Sequence, residues 1–130
     1  MKYVILIHSN PQPWGHPTEQ YVAEHQALPE GTRKQLNDEF EQAFTELMER
    51  GEFVGAEALG DPAASRLFRW REGERLATDG AYAEGKEHLA GFFLIDVDSP
   101  ERAEEVARCF SGPGETVELR PVMSQSSDAE

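Results

Sequence analysis

The sequence predicts an α+β domain, and three observations carry that expectation. Short apolar runs rich in β-branched residues recur along the chain, and two longer segments repeat their apolar side chains at steps of three and four. The 130 residues leave room for one core and not two.

Tyr3, Val4, Ile5, Leu6 and Ile7 form the first run. Because apolar groups point both ways along it, this strand is expected to be buried on both faces. It ends at His8 and the turn-rich Ser9, Asn10, Pro11, Gln12, Pro13, Trp14, Gly15. Between Thr18 and Leu28, the spacing of Tyr21, Val22, His25 and Leu28 predicts a short helix. Thr32 followed by Gln35 reads as a capping box, and Leu36, Phe40, Ala43, Phe44, Leu47 and Met48 then mark a long amphipathic helix up to Gly51.

Phe53 to Leu59 is the second predicted strand. Ser65 to Trp70 and Glu74 to Thr78, joined by Glu72 and Gly73, read as a hairpin. After the polar segment opened by Asp79 and Gly80, Leu89 to Val97 forms another strand with apolar groups on both faces. Ser99 as cap and Pro100 at the first helical position start a second main helix, carrying Ala103, Val106, Ala107 and Phe110 on one face and stopping near Ser111 to Gly114. Thr116 to Val122 is the last strand, and residues 124–130 form a polar tail after a single domain at 1–123.

This arrangement suggests a ferredoxin-like sandwich, an antiparallel sheet with two main helices on one face. Two helices cover one side of a sheet. Yet Tyr3, Ile5 and Ile7 oppose Val4 and Leu6, while Phe93 and Ile95 oppose Phe92 and Leu94, so a second apolar face remains. Leaving such side chains wet would forgo about 1.5 to 3 kcal/mol each. A homodimer with the two sheets stacked face to face, a dimeric α/β barrel, is therefore expected.

Asp plus Glu number 25 against 12 Lys plus Arg, a net charge of −13. Such a surface repels phosphate backbones and anionic lipid, which argues against nucleic-acid and membrane partners. The longest apolar run is about seven residues, too short to span a bilayer, and no export signal is read at the N-terminus. The single Cys109 forms no intrachain disulfide and fits a reducing, cytoplasmic location.

Several side chains are candidates for chemistry. His8, at the end of the first strand, is either a structural histidine or a near-neutral acid or base at a cleft rim. Trp14 is a loop anchor or a ring that stacks on a ligand. Arg69 and Arg120 flank large apolar residues, so each pairs with an acid of the chain or offers its planar fork to a substrate carboxylate. The four His residues show no metal-ligand spacing and Cys109 has no activating cation beside it, so neither a metal nor another cofactor is expected.

Thr78, Asp79, Gly80, Ala81, Tyr82, Ala83, Glu84, Gly85, Lys86 and Glu87, followed by Leu89, Ala90, Gly91 and the strand Phe92 to Val97, resemble the signature of the YCII-related family in its DGPF-domain branch. The resemblance extends over the opening Met1-Lys2-Tyr3, the Arg69 region, the helix from Ser99 to Ala107 and the closing Val117 to Val122. Ala81 stands where the family has Pro and Tyr82 where it has Phe. The resemblance implies a dimeric α/β barrel. Its members are mostly of unassigned biochemistry, some relatives act as lyases or dehydrochlorinases on small acids, and others accompany sigma factors. It also directs attention to Asp79, Lys86 and Glu87, which read otherwise as a turn former and solvated charges.

The expectation is thus a small, anionic ligand held in the dimer cleft. His8, Asp79 or Glu87 would serve in acid-base chemistry of a lyase-like or dehydrochlorinase-like kind, and Arg69, Lys86, Arg120 and Trp14 in binding. The alternative is a noncatalytic accessory or ligand-sensing dimer, linked to sigma-factor regulation.

Overall fold

The computed structural model describes residues 1–80 and 86–123. Six strands and three α-helices follow one another as β1 (Lys2–Ser9), α1 (Ala23–Gln26), α2 (Glu30–Glu49), β2 (Phe53–Ala58), β3 (Arg66–Arg71), β4 (Glu74–Asp79), β5 (His88–Asp96), α3 (Pro100–Cys109) and β6 (Thr116–Pro121). Four strands make an antiparallel sheet in the order β2-β5-β1-β6, and β3 and β4 form a separate two-stranded ribbon. β1-α2-β2 and β5-α3-β6 are therefore two interleaved β-α-β units, the ferredoxin-like α+β arrangement that the element pattern predicts.

The alternation of side chains along β1 determines what lies on each face. Ile5 is fully buried and packs with Ile95, Leu47, Ala103, Val106 and Phe110, while Tyr3, Ile7, Phe93, Val117 and Leu119 border the same core. Both main helices cover this face. Leu6 stands opposite Phe92 and Val4 opposite Leu94, so these four half-buried side chains form an apolar stripe on the sheet's back. On the β6 side the stripe meets Glu118 and Arg120. Apolar groups on both faces of β1 and β5 are thus confirmed in register.

The helix ends show where local sequence rules hold and where they yield. Ser99 caps α3, accepting from the Arg102 backbone N–H at 3.1 Å, with Pro100 in the first turn. The predicted Thr32–Gln35 capping box is not formed. Instead α2 begins at Glu30 with Pro29 in the capping position, and the Pro29 carbonyl accepts from both Thr32 and Arg33 at 3.0 Å, which draws Thr32 into the first turn. The predicted helix between Thr18 and Leu28 is split into a 3₁₀ turn at Thr18–Tyr21 and the one-turn α1, with Val22 extended between them.

At its other end, α2 closes with Gly51 at φ 69. The Glu52 N–H bonds the Leu47 carbonyl at 2.9 Å and the Gly51 N–H bonds Met48 at 3.2 Å, a Schellman closure. This turn delivers the nearly buried Glu52 to Arg102 on α3. The guanidinium meets Glu52 through Nε and Nη2 at 2.8 to 3.2 Å and also reaches Glu46 and Glu105. Among the described residues no helix is long and apolar enough to cross a membrane.

Replacing Arg102 with Met leaves the Glu52 carboxylate buried without its partner, so chemical denaturation should show a loss of roughly 3 kcal/mol. The Glu52→Gln/Arg102→Met double variant should recover most of it, and equal losses would mean that the pair is uncoupled. A Cβ at Gly91 would sit 2.8 Å from the Glu57 carbonyl oxygen. Gly91→Ala should therefore push β2 from β5 and lower stability by about 1–3 kcal/mol, read as a lower thermal midpoint.

Candidate functional site

On the helix-covered side of the sheet, a cavity of about 920 Å³ opens between α2 and the segment that carries the 3₁₀ turn and α1. Its floor is apolar. Ile7 of β1, Ala56 and Ala58 of β2, and Ala90 and Phe93 of β5 lie there, with Phe40 of α2 and Phe110 after α3. The Phe110 ring stands 4.7 Å, centroid to centroid, from both Phe40 and Phe93, so the three rings present a continuous aromatic surface.

The wall is a loop tied down at several points. Trp14 Nε1 donates to the Leu59 carbonyl at 2.9 Å, and His16 Nε2 lies 2.8 Å from the same oxygen, which makes that nitrogen the protonated one. The Gln12 N–H bonds the Tyr21 carbonyl at 2.8 Å, and Thr18 Oγ1 donates to the Glu115 carboxylate. Two glycines let the pieces close up. A Cβ at Gly15 would fall 2.6 Å from the Tyr21 ring, and one at Gly114, whose φ is +80, would fall 2.5 Å from Val22 Cγ1.

Two polar side chains in this cavity each carry one buried nitrogen without a hydrogen-bond partner. His25 is only 8% exposed, and its Nδ1 has no hydrogen-bond partner. Neighbouring Gly112 leaves space there, since a Cβ built on it would still be 3.8 Å from that nitrogen. Arg33 has its Nε sealed from solvent without an acceptor, and its Nη1 donates to the Gln26 side chain at 3.3 Å. The contrast with Arg102 is informative, because that half-buried arginine is surrounded by three carboxylates. Arg33 makes no ion pair among the described residues, although the chain carries 25 acidic groups. Cys109 also lines the cavity, and burial raises its thiol pKa, helped by Glu39 and Glu46.

The side chains singled out from sequence lie elsewhere. His8 and Arg120 come together on the sheet's back through one carboxylate, His8 Nε2 lying 3.1 Å from Glu118 Oε1 and Arg120 donating to the other oxygen. Arg120, and then His8, hold the Glu118 carboxyl below its ordinary pKa. Asp79 ends the β3–β4 ribbon and pairs with Arg66 at 3.0 Å, both exposed. Gly80 follows at φ 106, as a turn requires. Arg69 is on that ribbon, and Lys86 and Glu87 lead into β5. Residues 81–85, the centre of the resemblance described above, lie outside the described residues. Trp14 is the loop anchor just described. None of these seven side chains lines the cavity. His25 was legible only as part of an apolar helical stripe, and nothing local marked Arg33, which lies in the first turns of α2. Among the described residues no cluster of His, Cys, Asp and Glu could hold a metal ion.

A protein of Rhizobium meliloti, described only as uncharacterized, is 35% identical over 78 residues, a stretch that is 58% of this chain and 63% of that protein. The chain therefore matches less than two thirds of that relative's length. The model of the YCII-related domain matches residues 1–124, nearly the whole length over which the interleaved β-α-β units and the cavity are built, and the chain belongs to the YCII-related domain family.

Proposed function

We propose that this protein binds a small molecule with an apolar, planar body and a carboxylate in the cavity beside α2, with His25 placed to move a proton. One observation carries the reading: an arginine that has no carboxylate partner among the described residues and a buried histidine whose Nδ1 has no hydrogen-bond partner share one cavity floored by phenylalanines. A guanidinium fork fits a carboxylate in two-point fashion, and the ring surface of Phe40, Phe93 and Phe110 suits a flat apolar body. The His25 imidazole, with no hydrogen-bond partner at Nδ1, offers a ring nitrogen for proton transfer, the requirement for lyase-like acid-base chemistry.

The functional unit in this proposal is a homodimer in which the stripe of Val4, Leu6, Phe92 and Leu94 is covered by a second copy. His8, Glu118 and Arg120 then lie at the border of the stacked sheets. A second reading, a noncatalytic sensor, is supported by the same cavity, and turnover distinguishes the two.

Titration with benzoate and phenylacetate, followed by calorimetry and thermal shift, tests the site. Carboxylates should bind and stabilise, and benzyl alcohol should not. Arg33→Met should weaken carboxylate binding roughly 10- to 100-fold, the worth of a charge-assisted contact of about 1.5–3 kcal/mol. Equal binding of acid and alcohol, or no change in Arg33→Met, would overturn the carboxylate assignment. His25→Gln should keep binding and lose any proton transfer. Because the half-buried thiol of Cys109 is held protonated by its raised pKa, its alkylation near neutral pH should be slower than that of free cysteine, and a bound carboxylate should slow it further.

A further inference from the structure

The ribbon β3–β4 is unlike the rest of the molecule. Every residue of it except the half-buried Leu67 is exposed, and it belongs to no larger sheet. Phe68 is 73% exposed and Trp70 62%. In register, Phe68 pairs with Ala77 and Trp70 with Arg75, so these side chains share one face, and the Arg75 guanidinium stands over the Trp70 ring at 5.1 Å. A two-stranded hairpin alone in water is marginally stable, and two large aromatics left so bare mark a contact surface.

We propose that this ribbon is a clasp that packs its Phe68–Trp70–Arg75 face on a second copy of the chain. The inference rests on the dimer reading above and adds to it the element that makes the contact large enough. Four strands of six to nine residues, about 4.8 Å apart and rising about 3.3 Å per residue, give the sheet's back a footprint of roughly 460 Å², a little over half of the ~800 Å² per partner that a stable interface buries. Two clasps, one from each copy in a two-fold dimer, add the missing apolar area. Charge points to the same occupant. The ribbon from Arg66 to Asp79 holds four of the twelve cationic residues against three acids, a net charge of +1, which leaves −14 on the rest of a chain whose total is −13. A second copy therefore offers the clasp an acidic surface, with Glu57 exposed on the edge strand β2.

Light scattering coupled to size exclusion over a dilution series tests this on the full chain, with Phe68→Ser/Trp70→Ser and Trp70→Ser, whose exposed positions leave the core untouched, and circular dichroism as the check on folding. The expected result is a wild-type dimer whose dissociation constant rises at least tenfold in the double variant and by less in Trp70→Ser, with Arg75→Glu weakening it in the same direction. A wild-type dimer with unchanged dissociation constants in all three variants overturns the clasp and leaves the stacked sheets standing. A monomeric wild type at micromolar concentration overturns both. A Leu6→Glu variant separates the two contacts, because it disrupts sheet stacking without touching the ribbon.

Discussion

The constraint on which the rest depends is that β1 and β5 carry apolar side chains on both faces. Two adjacent central strands of this kind cannot lie at a wet surface without losing about 1.5–3 kcal/mol for each large side chain left exposed. The fold answers on one side with α2 and α3, which close over Ile5 and Ile95. On the other side Val4, Leu6, Phe92 and Leu94 stand half-buried, with Glu118, Arg120 and His8 at the margin of their stripe. Both proposals about assembly follow from this asymmetry of cover.

The cavity arises on the covered side because the cover is uneven. Toward the ends of β2 and β5 the floor is built of Ala56, Ala58, Ala90 and Gly91, side chains too small to fill the space beneath α2. The Gly91 position is fixed by the close Glu57 carbonyl, so the packing that joins the strands also keeps the floor low. The loop from Gln12 to Tyr21 and the turn at Gly112 to Glu115 form the walls, held by backbone bonds and by the Thr18–Glu115 contact. Buried polar groups usually find partners, and here His25 Nδ1 and Arg33 Nε do not, in a protein that satisfies Arg102 three times over. That difference sets the cavity apart from ordinary packing imperfection.

Legibility differed by level. Strands showed themselves through β-branched runs, and the long helix through its stripe of Leu36, Phe40, Ala43 and Leu47, because periodicity is a local property that burial imposes on each element. The Thr32–Gln35 cap was misleading because Pro29, with its fixed φ, set the start of the helix three residues earlier. Asp79 and Lys86 drew attention as motif residues, yet Asp79 is an exposed partner of Arg66 and Lys86 is exposed. The pairing of Arg120 with a glutamate was foreseeable, since Glu118 lies two positions away on the same face of the strand.

The amino-acid order by itself determined the class of fold, the two-sided greasiness of the central strands and the acidic surface, all of which are sums over neighbouring residues. Only the tertiary structure decided that His25, Arg33, Phe93 and Glu115, drawn from distant parts of the chain, meet around one hollow, and that a ribbon with bare aromatics stands apart from the sheet. The physical reason is that a vacancy and an unmade hydrogen bond belong to no single residue. They are set by what the other elements bring near, and no pattern along one segment records that.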